Sequence, residues 1–140
     1  MSSLKRPDHA VTVELRVAFH ECDPLGVVWH GRYFEYLDVA RSALLASVRL
    51  DVQDIHALGF RLYVTEARCR YMSPLAYGDA ARVTAWFSAV SPLLRVAYDV
   101  RHAGRDTWCA RATTVLATTD ERGILIPRTP DAIMDRLPAR

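Results

Sequence analysis

One long helical pattern, set among segments that alternate like β-strands, limits what this chain can fold into. From about residue 30 to residue 49, polar side chains recur at spacings of three, four and seven. The polar positions are Glu35, Asp38, Ser42 and Arg49, and the apolar positions are Tyr33, Phe34, Tyr36, Leu37, Ala40, Leu44, Leu45 and Val48. So narrow a polar stripe predicts a helix of about 17–20 residues, covered on most sides by a curved sheet or by a partner chain.

Strand-like segments flank this helix on both sides. Before it, residues 11–19 alternate between apolar and polar side chains and predict a half-buried strand. The side chains expected on its buried face are Val11, Val13, Leu15, Val17 and Phe19. After the helix and a short helical turn or loop at 51–60, four more strand-like segments cover 60–72, 80–90, 93–101 and 107–119. Short turns join the last three, which predicts an antiparallel meander.

The order of these elements predicts an α+β fold in which one antiparallel sheet of about five strands wraps around one long central helix. We expect the 140 residues to form a single domain, because a chain of this length buries roughly 70% of its unfolded surface without disulfides or metals. The polar residues 1–9 are expected to form a flexible leader. Residues 128–140 are expected to form a C-terminal tail with one helical turn.

Composition excludes several classes of protein. The net charge of +2 is not the large positive excess that is typical of nucleic-acid-binding proteins. No apolar run approaches the roughly 18 residues of a membrane span, and the N-terminus lacks the apolar core of a signal peptide, so a cytoplasmic location and no membrane insertion are expected. The cysteines and histidines lack metal-ligand spacing, so neither a metal nor a cofactor is expected.

The chain also lacks the motifs GxSxG, Walker A, GxGxxG and HExxH, which leaves the loop before the helix as the candidate for chemistry. Asp23 stands there between Cys22 and Pro24, and His30 follows at the helix start, where free backbone N–H groups can stabilise negative charge. Each residue also has an ordinary structural interpretation. Asp23 could be a turn or cap residue, His30 a buried or capping histidine, and Cys22 a small buried residue rather than a nucleophile.

The segment CDPLGVVWHGRYFEYLDVAR resembles the signature of the 4-hydroxybenzoyl-CoA thioesterase family of hotdog-fold proteins, including the Tol–Pal-associated type. The matching residues are Asp23, Gly26, Val27, Val28, Trp29, His30, Tyr33, Asp38, Ala40 and Arg41. A later segment, RYMSPLAYGD, resembles the family's aromatic-x-x-Pro-x-x-x-Gly-Asp pattern. The resemblance covers about residues 10–127 and implies a hotdog fold.

The resemblance implies an acyl- or aroyl-CoA thioesterase in which Asp23 attacks the thioester carbonyl or activates a water, with His30 as a second catalytic residue. The substrate-binding residues it implies are Gly26, Val27, Val28, Trp29 and Tyr33. It also implies a homodimer, often a homotetramer, with the acyl pocket at the subunit interface. Arg68, Arg70 and Arg82 are candidate contacts for the CoA phosphates. Leu25 stands where many relatives have a small residue, so it is expected to narrow the acyl pocket.

Two other functions remain open from the sequence. The chain could release an acyl or polyketide chain from acyl carrier protein instead of from CoA. It could also be a hotdog dehydratase or a non-catalytic module that binds acyl thioesters, although the acid-then-glycine loop fits the dehydratases poorly.

Overall fold

The helices and strands of this protein were located in a computed structural model that describes residues 6–138. The chain begins with strand β1 (Val11–Arg16), followed by two 3₁₀ turns at Phe19–Glu21 and His30–Arg32 and by the long helix α1 (Tyr33–Ser47). A short helix, α2 (Val52–Ala57), leads to four long strands, β2 (Phe60–Tyr71), β3 (Ala80–Ala89), β4 (Leu94–His102) and β5 (Trp108–Asp120). The chain ends with β6 (Leu125–Ile126) and α3 (Asp131–Met134).

The long strands form one antiparallel sheet in the order β1-β3-β4-β5-β2, with β6 paired to β5. The predicted meander of β3, β4 and β5 is therefore confirmed, as is the predicted α+β architecture. The sheet places β2 and β1 at its two edges. One face of the sheet packs on α1.

The core lies between α1 and the sheet. The helix buries Tyr33, Tyr36, Leu37, Ala40 and Leu44, against strand residues that include Val83, Val96, Val100 and Leu116. Phe34 and Val39, on the other side of α1, are exposed. In the single chain the sheet covers one face of the helix, so the expectation that a sheet or a partner chain covers α1 on most sides stays a prediction.

The predicted first strand is shorter than expected. β1 ends at Arg16, and Phe19 is 75% exposed instead of buried. The chain leaves the sheet because the Glu21 carboxylate accepts the Ala18 N–H at 2.8 Å and closes a 3₁₀ turn. The Phe19 ring instead contacts the Tyr77 ring edge-on, with 5.6 Å between centroids.

Both ends of the described chain contact the rest of the fold. Residues 1–5 of the expected leader and 139–140 of the expected tail lie outside the described residues. Arg6 donates to Asp99 Oδ2 at 2.6 Å, and His9 Nε2 accepts the Phe87 N–H at 3.0 Å. In α3, Ile133 is buried in a small cluster with Leu50 and Ile55. No helix within residues 6–138 has the length and apolar character that crossing a membrane requires.

Candidate functional site

The loop that carries Asp23 is a tight hairpin spanning residues 22–28. The Gly26 N–H donates to Asp23 O, and the Asp23 N–H donates to Val27 O, both at 2.9 Å. Pro24 suits the second position of such a turn because its ring fixes φ, and Gly26 adopts a φ of +84° that favours glycine. A Cβ at Gly26 would meet nothing within 4 Å, so the backbone conformation, and not a close approach, requires glycine here.

The hairpin is held in place by the segment that follows β2. The Val28 N–H donates to Leu75 O at 2.8 Å, and Val27 forms a bridge with Ala76. Leu75 is fully buried, so this anchor belongs to the core. The Asp79 carboxylate accepts the Ala76 N–H at 2.8 Å, which fixes the turn that presents Ala76 to the hairpin. Two distant segments therefore position Asp23.

The start of the long helix lies next to the hairpin. The 3₁₀ turn His30–Arg32 runs directly into α1, and within residues 6–138 the backbone N–H groups of His30 and Gly31 donate no hydrogen bond. Such orphan donors, at the positive end of the helix dipole, stabilise a nearby negative charge. A Cβ at residue 31 would come within 2.2 Å of the Trp29 ring, so a larger residue at this position would displace that exposed ring.

The end of β2 closes the site on its other side. The Tyr71 hydroxyl donates to His30 O at 2.8 Å, and its ring contacts Tyr33 edge-on with 5.0 Å between centroids. Desolvation raises the pKa of both tyrosines to about 12. Both hydroxyls are therefore protonated at neutral pH, and that of Tyr71 donates to His30 O.

These elements line an open cavity of about 310 Å³. Its lining residues are Asp23, Val27, Val28, His30, Tyr33, Tyr71, Met72, Ser73 and Pro74. Asp23 Oδ1 accepts the Leu25 N–H at 2.9 Å. The other carboxylate oxygen has no hydrogen-bond partner in the described part of the chain, so it is free for chemistry. Asp23 thus stabilises the turn with one carboxylate oxygen and leaves the other oxygen available.

Five of the seven predicted site residues line this cavity: Asp23, Val27, Val28, His30 and Tyr33. Gly26 and Trp29 do not. Gly26 supports the hairpin backbone, and Trp29 is exposed with its ring beside the His30 ring, 5.0 Å between centroids. Leu25 is 85% exposed at the tip of the hairpin. Within this chain it does not line the cavity, and its effect on an acyl pocket at a subunit interface stays a prediction.

Other acidic and sulfur groups near the site have structural contacts. Glu21 Oε1 accepts the Tyr36 hydroxyl at 2.8 Å, and burial together with this bond raises the pKa of Tyr36. The Cys22 thiol points to Ala18 O at 3.9 Å and does not line the cavity. On the helix, Asp38 pairs with Arg41 at 2.7 Å and Glu35 pairs with Arg32 at 3.0 Å. These carboxylates form a solvated stripe.

Sequence reasoning missed the contribution of Met72, Ser73 and Pro74 to the cavity. The segment RYMSPLAYGD contains these residues, but they lie near Asp23 only because β2 runs back beside the start of α1. Arg68 and Arg70 lie on the same strand and do not line this cavity. The described residues contain no cluster of acidic, histidine and cysteine side chains that could hold a metal ion.

Comparisons with known proteins agree with this architecture. Residues 17–137 match the thioesterase-like superfamily. A Bacillus subtilis protein named "Putative acyl-CoA thioesterase YneP" is 31% identical over 78 residues, which are 56% of each chain. The Arabidopsis thaliana chloroplastic acyl-acyl carrier protein thioesterase ATL3 is 33% identical over 79 residues, 56% of this chain and 42% of ATL3. The chain thus spans about half the length of several curated relatives it matches.

Solved structures show the same fold. A hypothetical protein from Thermus thermophilus is 26% identical, with a TM-score of 0.80 over 90% of this chain and 95% of that chain. A 1,4-dihydroxy-2-naphthoyl-CoA thioesterase from Synechocystis is 22% identical, with a TM-score of 0.77 over 91% of this chain and 95% of that chain. The predicted hotdog fold is therefore confirmed. Since the superfamily match extends from residue 17 to residue 137, the chain belongs to the thioesterase-like superfamily.

Proposed function

We propose that this protein hydrolyses an acyl- or aroyl-CoA thioester to the free acid and CoA, with Asp23 as the reactive carboxylate. The observation that carries the proposal is that Asp23, with one free oxygen, and His30, with an unpaired backbone N–H, line the same cavity. A carboxylate beside orphan donors at a helix start is the arrangement that attack on a carbonyl requires.

The chemistry follows one of two routes. Asp23 attacks the thioester carbonyl, the thiolate of CoA leaves, and water hydrolyses the mixed anhydride. Alternatively, Asp23 takes a proton from a water that attacks the same carbon. In both routes the carbonyl oxygen becomes negative, and the N–H groups of His30 and Gly31 are the nearest unpaired donors at the helix start. One such donor typically contributes about 10²–10³ in rate.

His30 contributes its ring as well as its backbone. The ring lines the cavity beside Trp29 and faces the Tyr71 ring edge-on, with 6.1 Å between centroids. From there it can orient the substrate carbonyl or protonate the departing thiolate. Since a CoA thiolate is a good leaving group, orientation is the role that we assign to it.

The substrate class rests on the cavity and on the relatives. Tyr33 and Tyr71 give the cavity aromatic walls, which suit an aryl or an extended acyl group. CoA thioesterases named for dihydroxynaphthoyl and gentisyl groups share the fold. The name of the Arabidopsis relative instead specifies acyl carrier protein, so carrier-bound thioesters are the second substrate class to test.

We also propose that two copies associate through the free edge of β2. This edge strand spans twelve residues, exposes Tyr63 and Val64, and has a strand partner on one side only in the described chain; an open strand edge is a template for another strand. Antiparallel pairing of two such edges would extend the sheet across both subunits and bring the Tyr71 end of one strand toward the Phe60 end of the other. Sedimentation equilibrium measures the mass: a dimer is expected, and a monomer at micromolar concentration would contradict the proposal.

The direct test is a thiol-release screen over short, long and aromatic acyl-CoAs, with the same acyl groups on acyl carrier protein in parallel. Asp23→Asn keeps an oxygen that can accept the Leu25 N–H but removes the charge, and we expect a rate loss of about 10²–10⁴. Asp51→Asn is the matched control, because Asp51 caps α2 away from the cavity. Rates for Asp23→Asn within about threefold of the wild type would refute the assignment of Asp23.

Three other outcomes bear on the alternatives. A strong preference for the carrier-bound thioester would reject CoA as the substrate carrier. Saturable acyl-CoA binding without thiol release at any pH would show a non-catalytic binding module. Hydration of an enoyl thioester without release of thiol would show a dehydratase.

A further inference from the structure

The turn between β4 and β5 is built around one histidine side chain. His102 ends β4 and is 7% exposed. Its N–H donates to Thr107 O at 2.9 Å, and its carbonyl oxygen accepts the Asp106 N–H at 2.8 Å. A Cβ at Gly104 would lie 3.1 Å from Cε1 of the ring, so the glycine leaves the ring its room. The turn therefore confines the imidazole to one place.

The hydrogen bonds of this turn also determine which ring nitrogen carries the proton. His102 Nδ1 accepts the backbone N–H of Arg105 at 2.9 Å. A backbone N–H can only donate, so Nδ1 is the unprotonated nitrogen and Nε2 carries the ring proton. Nε2 is buried, lies 3.3 Å from Asp79 Oδ1, and makes no well-aligned hydrogen bond in the described chain. The protonated nitrogen therefore stands beside a carboxylate oxygen.

The Asp79 carboxylate contacts two different segments with its two oxygens. Oδ2 accepts the Ala76 N–H at 2.8 Å, whereas Oδ1 lies beside the His102 ring. The Ala76 N–H is the main cause that lowers the pKa of Asp79, and His102 and Arg105 lower it further. The carboxylate is therefore ionised at neutral pH and attracts the proton on Nε2.

Ala76 in turn positions the hairpin of the candidate site. It forms a bridge with Val27, whose carbonyl oxygen accepts the Asp23 N–H at 2.9 Å. A continuous path of contacts therefore leads from the His102 ring through the Asp79 carboxylate and the Ala76 turn to the hairpin. None of these three residues lines the Asp23 cavity, so the path reaches the site from outside it.

We propose that His102 is a positioning residue for the Asp23 hairpin, which it holds through the Asp79 carboxylate. The ring supplies a fixed N–H beside Oδ1 and so keeps Oδ2 directed at the Ala76 N–H. The effect of His102 on thioester hydrolysis rests on the proposed function, whereas its effect on the hairpin does not. A misplacement of about 1 Å can cost about 10²-fold in rate, so a contact outside the cavity is sufficient to alter catalysis.

Two substitutions at position 102 separate the contact with Asp79 from the contact within the turn. Glutamine places an amide nitrogen near the position of Nε2 and can donate to Asp79, but it loses the acceptor for the Arg105 N–H. Asparagine keeps an acceptor near the position of Nδ1 but is too short to reach Asp79. We expect His102→Asn to lower kcat for thiol release about tenfold to a hundredfold with KM within about twofold of the wild type. His102→Gln should retain kcat within about threefold.

Amide hydrogen exchange measures the hairpin directly and needs no substrate. In His102→Asn the protection factor of the Val28 amide should fall about tenfold relative to the amides of the central strand β4, which report on global unfolding. Equal losses at Val28 and in β4 would show that His102 only stabilises the fold, and the proposal would fail. His9→Asn is the matched control, because His9 also accepts a backbone N–H, that of Phe87 at 3.0 Å, at the far end of β3 from Asp79. It should leave both kcat and the protection of Val28 unchanged.

A double variant tests whether His102 acts through Asp79. Asp79→Asn combined with His102→Asn should lower kcat no further than Asp79→Asn alone, because the path is already broken. Additive losses in the double variant would overturn the proposal. A larger loss of kcat in His102→Gln than in His102→Asn would also overturn it, since the turn and not Asp79 would then be the contact that matters.

The wild-type protein allows a measurement that does not depend on the folding of any variant. A long-range proton–nitrogen correlation spectrum of the imidazole rings distinguishes the two tautomers, and we expect the Nε2-protonated form for His102. The Nδ1-protonated form would contradict the proposal. Should the wild type release no thiol from any acyl thioester, the proposed function fails, and the exchange of the Val28 amide in His102→Asn still decides whether His102 holds the hairpin.

Discussion

Replacing Tyr71 with phenylalanine tests how the helix start is positioned without altering the proposed reactive groups. The Tyr71 hydroxyl donates to His30 O at 2.8 Å and so links the end of β2 to the first residue of the 3₁₀ turn. Phenylalanine retains the ring and its edge contact with Tyr33. The substitution therefore removes the hydrogen bond to His30 O and the contact between the hydroxyl and the Cys69 thiol, and leaves the ring in place.

The structure sets the size of the expected effects. A neutral hydrogen bond contributes about 0.5–1.5 kcal/mol, and since Tyr71 is 42% exposed, water replaces the lost donor. We expect the free energy of unfolding to fall by about 0.5–1 kcal/mol, which lowers Tm by roughly 1–4 °C. We expect kcat to fall about tenfold with KM little changed, below the roughly 10²–10³ cost of deleting an oxyanion donor.

Urea unfolding gives the change in stability, and thiol release under saturating acyl-CoA gives kcat. Tyr63→Phe is the matched control, because Tyr63 is on the same strand, is 53% exposed, and its hydroxyl makes no hydrogen bond in the described chain. Equal kcat values for Tyr71→Phe and Tyr63→Phe would refute the idea that this bond positions the start of α1 for the proposed reaction.

Three further substitutions test the fold. Leu44→Ala empties a fully buried position under the sheet and should cost about 2–5 kcal/mol in urea unfolding; a loss below about 1 kcal/mol would contradict the packing described. Gly26→Ala should lower stability by about 1–2 kcal/mol, because alanine resists a φ of +84° even where space is free, and an unchanged Tm would show that the hairpin relaxes. The Ala76 N–H and, to a lesser degree, His102 lower the pKa of Asp79 below its ordinary value of 3.8. The ionised Asp79 carboxylate therefore stabilises the folded state above pH 3.8, and this contribution is lost as the pH falls through the lower pKa of the folded state. The stability advantage of the wild type over Asp79→Asn should therefore shrink between pH 5 and pH 3 in urea titrations, and a constant difference would show that Asp79 does not titrate in this way.

Local periodicity was sufficient to locate the main elements of the fold. The predicted helix and the four later strands agree with α1 and β2–β5 to within a few residues, because alternation and helical spacing are imposed by burial on one face. Phe19 was misplaced because its apolar character continued the alternation past the point where Glu21 closes a 3₁₀ turn. The exposure of Phe34 and Val39 shows that a narrow polar stripe does not reveal what covers the remaining faces of a helix.

The candidate site was predicted best where it is contiguous in sequence. Asp23, Val27, Val28, His30 and Tyr33 come together because one hairpin and one helix start carry them all. The wall formed by Tyr71–Pro74 depends on strand register, which residue patterns alone do not provide. The contact between Asp79 and His102 depends on register in the same way, since the pairing of β3 with β4 brings the two residues together.

The hairpin that carries Asp23 has a consequence for the motions of the protein. Its attachment to the rest of the fold runs through backbone contacts with Leu75 and Ala76 and through one buried side chain, Val28, while Pro24 and Leu25 at its tip are exposed. A segment with few buried side chains opens at a lower free energy than the core strands. The Val28 amide, which donates to Leu75 O, should therefore exchange its hydrogen through local opening well before the amides of β4, and its protection factor measures how firmly the hairpin holds Asp23.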